Sequence, residues 1–87
     1  MYSLADDVQV VDVDFGAVLL NRATGRYWEL NQMGAFILNL AISKVSIESI
    51  ADNISRSYDV DRSQARRDAL GVLASLREAG ILGEDAE

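Results

Sequence analysis

Apolar residues recur along the chain with two periods, and the change of period divides it. From Val8 to Val13 the run is β-branched and partly alternating, with Val11 and Val13 on one face and Val8 and Val10 toward the other. This pattern predicts a first strand. Phe15-Gly16 marks a turn, and Ala17-Val18-Leu19-Leu20-Asn21 reads as a second strand. The segment Asn21-Arg22-Ala23-Thr24-Gly25 opens on Asn and closes on Gly. It suits a hairpin loop in which Gly takes a positive φ. A third strand follows from Arg26 to Leu30, aromatic-rich and alternating, with Arg26, Trp28 and Leu30 on one face and Tyr27 and Glu29 on the other. Successive hairpins place the strands in the order first, second, third, leaving the first and third at the edges.

At Asn31, a favoured N-cap, the period lengthens. Met33, Phe36, Ile37, Leu40 and Ala41 fall on one helical face, with Gly34 inside it as a place for close packing. A second helix starts after Ser46 and buries Ile47, Ile50, Ala51, Ile54 and Tyr58. Asp61 with Gln64 predicts a capping box at the start of a third helix, whose apolar face carries Ala65, Ala69, Val72, Leu73 and Leu76, widened by Leu70. Gly80 ends that helix, and Ile81 and Leu82 fold back onto the core. Met1 to Asp6 and the acidic Gly83 to Glu87 are expected to fray, so the ordered core of a single 1–87 domain runs from about 8 to 82. The fold class is α+β: a three-stranded antiparallel sheet followed by three helices. Three helices cannot cover both faces of so small a sheet. They are expected on the Trp28/Leu30 face, with the Tyr27/Glu29 face wetter.

Composition narrows the function. The 87 residues include no Cys and no His, which removes disulfides, thiolate or imidazole metal sites, Cys nucleophiles and His bases. A net charge of −6 opposes a phosphate backbone. Apolar runs are too short to span a membrane, and the N-terminus lacks a signal-peptide pattern, so a cytoplasmic location is expected. The pair Asp12/Asp14 has the chemistry to hold a hard cation or move a proton, but no nucleophile–base pair or phosphate loop accompanies it. Catalytic residues, metal and cofactor are therefore expected to be absent.

The run Gly25-Arg26-Tyr27-Trp28-Glu29-Leu30-Asn31 is followed by Gly34, Ile37 and Leu40, then Ile47 and Ile50, and then Tyr58-Asp59-Val60. Arg67-Asp68, Leu73, Leu76 and Gly80-Ile81-Leu82 complete the series. In this order and spacing it resembles the PqqD-like family, the precursor-peptide recognition elements of ribosomally made, modified peptides. The short stand-alone form looks most like the recognition proteins of lasso-peptide pathways. The resemblance implies a winged-helix-like domain that binds the leader of a precursor peptide and delivers it to a leader peptidase and a macrocyclase. It further implies that the leader adds as a strand to the free edge of the third strand, at Arg26, Tyr27, Trp28, Glu29 and Leu30, and packs on the third helix. On that helix the rim Ala65, Asp68, Ala69, Val72 and Leu76 is implicated, with Arg66, Leu70, Leu73 and Arg77 as the second choice.

Strand addition gives affinity without much selectivity, so selectivity falls to pockets for alternate side chains. Trp28 beside the small Ala65 and Ala69 is the expected pocket, although Trp28 also suits the core and the alanines also suit close helix packing. The competing reading is a winged-helix nucleic-acid-binding regulator, with Arg62, Arg66, Arg67 and Arg77 as contacts. Asp61, Asp68 and Glu78 on the same helix oppose it.

Overall fold

A computed structural model describes residues 2–84. The elements run β1 (Tyr2–Leu4), β2 (Val8–Val13), β3 (Gly16–Asn21), β4 (Tyr27–Asn31), α1 (Gln32–Ile42), α2 (Ile47–Tyr58), α3 (Arg62–Glu78) and β5 (Leu82–Glu84). The three strands expected from alternation are β2, β3 and β4, antiparallel in that order. The three helices follow them in the chain and pack on one face of the sheet, giving the expected α+β architecture.

Register decides which face is covered. Trp28 lies opposite Leu19 and Leu30 opposite Ala17. Leu19 and Ala17 are buried, and Trp28 and Leu30 are half-buried against the same core. On the opposite face Val11 pairs with Val18 and Leu20 with Tyr27. Tyr27 is 66% exposed and Val11 43%, so the helices leave this face open, as the strand alternation requires.

Short-range hydrogen bonds set the connections. Asn21 Oδ1 accepts from the amides of Ala23 and Thr24 at 2.9 and 3.3 Å, and Gly25 closes the loop at φ 76°. The turn between β2 and β3 requires Gly16, whose φ is 151°. A Cβ there would collide with the Leu30 carbonyl oxygen and the Asn31 backbone. β4 then passes into α1 without a loop: Asn31 is both its last residue and the helix N-cap, its Oδ1 accepting from the Gly34 amide at 2.8 Å. α1 and α3 both end in Schellman hydrogen bonds. In α1 the Val45 amide reaches the Leu40 carbonyl at 3.1 Å, with Lys44 in the left-handed region. In α3 the Ile81 amide reaches the Leu76 carbonyl at 2.9 Å. That motif turns Ile81 and Leu82 inward, where both are buried.

Three expectations are corrected. The N-terminal segment does not fray: Tyr2–Leu4 pairs antiparallel with Leu82–Glu84, and Lys44 Nζ donates to the Tyr2 carbonyl at 2.8 Å. Strand pairing across the whole length of the chain leaves no periodic trace in three-residue segments. Residues 85–87 of the acidic tail lie outside the described residues. The capping box of α3 is half formed. Asp61 caps by accepting from the Ser63 amide at 3.0 Å, but the Gln64 side chain turns forward to Asp68 Oδ1 at 2.7 Å. Finally, the buried side of α1 is wider than the expected stripe, adding Ala35 and Leu38, because β3 and two helices press on it together.

Gly16→Ala should lower the melting temperature sharply, by the equivalent of about 2 kcal/mol or more, because the new Cβ meets backbone rather than a movable side chain. Thermal unfolding followed by circular dichroism measures this.

Candidate functional site: a strand edge beside an apolar groove

The two edges of the three-stranded sheet differ. β2 carries Asp12, is preceded by Asp6 and Asp7 and is followed by Asp14, all exposed. Charges on an edge discourage the addition of another chain. β4 pairs only with β3, so its outer backbone groups have no partner strand among the described residues. Arg26 precedes β4, and its guanidinium lies 5.4 Å from the Trp28 ring centroid. Tyr27 and Glu29 point to the open face of the sheet, and Trp28 and Leu30 point to the covered one.

At the C-terminal end of β4 a groove of about 550 Å³ opens between the strand and α3. Leu30 and Asn31 line it from the strand, Met33 and Gly34 from the first turn of α1, and Arg67, Asp68, Gly71, Val72, Ser75 and Leu76 from α3. Gly34 lets the helix start lie close: a Cβ there would stand 3.3 Å from both the Leu30 Cβ and the Asn31 Oδ1. The groove is mainly apolar, with one polar end. There Gln64 links the two charged side chains, donating to Asp68 and accepting from Arg67 at 2.9 Å.

The expected site residues therefore divide. Leu30, Asp68, Val72 and Leu76 come together in the groove. Arg26, Tyr27, Trp28 and Glu29 lie along the edge outside it. The pocket expected between Trp28 and the alanines is not there: Ala65 and Ala69 are completely buried, and Trp28 packs on the core under Arg26. Both alanines belong to the buried core cluster, and α3 makes its most extensive helix contact with α2. Arg67, Gly71 and Ser75 were missed. They fall outside the apolar stripe, so only the placement of α3 against β4 reveals them.

Of the second-choice rim, Arg66 reaches to α2 and Leu73 is buried in the core. Arg66 Nε donates to Glu48 Oε2 at 3.0 Å, and Arg62 bonds Glu48 Oε1 at 3.0 Å and Asp52. These bonds hold the Glu48 and Asp52 carboxyls below the usual carboxylate range and raise the Arg62 guanidinium further. All four side chains are about half exposed, so solvent weakens the network. Among the described residues no cluster of acidic side chains is arranged to hold a metal ion, and no helix is long and apolar enough to cross a membrane.

The model of the family described as Coenzyme PQQ synthesis protein D matches residues 16–82, spanning β3 to the start of β5. The chain belongs to the PqqD family. Two solved structures share its fold over nearly the full length of both chains. A lasso peptide synthetase B1 complexed with the leader peptide superposes with a TM-score of 0.90 at 31% identity, covering 95% of this chain and 98% of the other. TbiB1 in complex with the TbiA(beta) leader peptide gives a TM-score of 0.85 at 32% identity, covering 98% and 99%. No curated protein sequence matches. The residues matched by the family model include all of β4 and α3.

Two outcomes follow in this PqqD-family chain. Ala69→Leu should destabilise the fold by about 1–3 kcal/mol, as overpacking of a filled core does, while the exposed Ala74→Leu leaves the melting temperature nearly unchanged. The carboxyls of Glu48 and Asp52 should titrate below the ordinary values for glutamate and aspartate in an NMR pH titration. Because folding lowers both values, the stability they supply is present above the ordinary carboxylate range and is lost as pH falls through the depressed values. Arg62→Ala should move both carboxyls back toward ordinary values.

Proposed function

We propose that this protein is a non-catalytic recognition element. It binds the leader region of a ribosomally synthesised precursor peptide, of the lasso type, and delivers it to a leader peptidase and a macrocyclase. The observation that carries the proposal is the unpaired edge of β4 with an apolar groove at its end. A leader that adds as a strand to β4 gains main-chain hydrogen bonds along the edge. Its alternate side chains then point toward α3, where Leu30, Met33, Val72 and Leu76 receive them. Membership of the PqqD family and the two leader-bound neighbours, similar over their whole length, support this reading.

The acidic β2 edge favours β4 as the docking strand. The charge arrangement also weighs against a nucleic-acid regulator. Arg62 and Arg66, two of the four arginines a recognition helix would present, are occupied by Glu48 and Asp52, and Arg67 is held by Gln64. With a net charge of −6, the surface gives little attraction for phosphates.

Titration with the leader peptide of its pathway should protect the amides of residues 27–31 from exchange and shift their NMR signals. Affinity should depend weakly on salt, and duplex DNA should not bind measurably near physiological ionic strength. Perturbation confined to β2, or tight salt-sensitive DNA binding, would remove the proposal.

A further inference from the structure

The helices cover one face of the β2–β3–β4 sheet, and the other face stays bare and mainly apolar. Register sets its rows: Leu20 lies between Gln9 and Tyr27, and Val18 lies between Val11 and Glu29. Val13 ends β2 on the same side, two residues beyond Val11. None of the apolar side chains in these rows belongs to the core or packs against it. Tyr27 and Val11 are exposed, and so is Phe15 in the turn at the end of the face. Glu29 breaks the pattern. It stands exposed in the middle row and makes no ion pair or side-chain hydrogen bond among the described residues. No contact within the chain accounts for a carboxylate here, where a β-branched or aromatic residue would suit the strand better.

We propose that Glu29 keeps the chain monomeric: its charge stops the bare face of the sheet from closing on the same face of a second copy. Sheets stack face to face with their strands nearly aligned. Two copies related by a two-fold axis can stack in this way about Val18 in two arrangements. With the axis along the strands, β4 of one copy lies over β2 of the other, and Glu29 meets the second copy's Val11. With the axis across the strands, β4 lies over β4, and the two Glu29 carboxylates meet. The first arrangement buries a charge against hydrocarbon, and the second brings like charges together. Neither supplies a cation, because no outward position of β2, β3 or β4 holds Lys or Arg, and Arg26 is stacked on Trp28. A carboxylate taken out of water without a partner is strongly disfavoured, and this opposes the gain from covering Val11, Val18, Leu20 and Tyr27. The role of Glu29 does not depend on what the β4 edge binds.

Sedimentation velocity on the full chain over a series of concentrations tests this role. The parent should sediment as a monomer throughout. Glu29→Gln and Glu29→Val both remove the charge. They should keep the parent's circular dichroism spectrum, because the Glu29 side chain holds nothing in the fold. Both should shift toward a dimer as concentration rises, Glu29→Val at lower concentrations than Glu29→Gln. Glu29→Lys, which keeps a charge on the face, should remain monomeric. Val18→Glu added to Glu29→Val should restore the monomer, since it returns a charge to the same row. A dimeric parent, a dimeric Glu29→Lys, or neutral variants that stay monomeric at the highest concentration would overturn the role of Glu29. Dimers that survive the addition of Val18→Glu would overturn it too, by placing the contact elsewhere.

Discussion

The structure depends on the junction at which β4 becomes α1. Asn31 belongs to both elements, and its side chain holds the Gly34 amide, so no loop residue loosens the angle between strand and helix. Two close approaches hold the junction from either side. Gly16 passes against the backbone of Leu30 and Asn31, and Gly34 lies against the Leu30 side chain. Because α3 packs on α1, an angle fixed at Asn31 also fixes where α3 stands relative to the free edge of β4. The groove is the space left between them.

α3 carries three kinds of surface at once. Ala65, Ala69, Leu73 and Leu76 are buried against the rest of the core. Arg62 and Arg66 reach across to α2 and hold its acidic side chains. The remaining side, from Arg67 through Gly71 to Ser75, faces the groove. The division keeps binding apart from stability. The groove residues Gly71 and Ser75 are exposed, whereas Ala65 and Ala69 are wholly inside. A peptide docked here would extend a sheet and complete an apolar surface without displacing any packed side chain.

The short ribbon of β1 and β5 closes the other end of the fold. It follows from the Schellman motif of α3, which turns Ile81 and Leu82 back into the core and brings the last strand beside the first. Lys44, in the left-handed position after α1, adds a bond to Tyr2. Residues 2–4 and 82–84 are thereby tied to the helices, far from the β4 edge in sequence and separate from the residues of the groove.

Most of the fold was legible in the sequence, because the signals that specify it are local. Alternation over a few residues identified β2, β3 and β4 and the face their partners would cover. Asn31, Ser46 and Asp61 act as caps through bonds reaching only two or three residues along the chain. The edge at β4 follows from counting hairpins, and Asp68, Val72 and Leu76 follow from helical period. What tertiary structure decided was everything that depends on elements distant in sequence. The pairing of Tyr2–Leu4 with Leu82–Glu84 is too short to leave a pattern. Ala65 and Ala69 look alike as wall or core until the helices are packed together. Gln64 can reach back to complete a cap or forward to Asp68, and no local preference decides between the two. Gly71 reads only as a weak point in a helix until the packing of the helices places it in the lining of the groove. Helical period states which residues share a face, but only the three-dimensional arrangement states what the face meets.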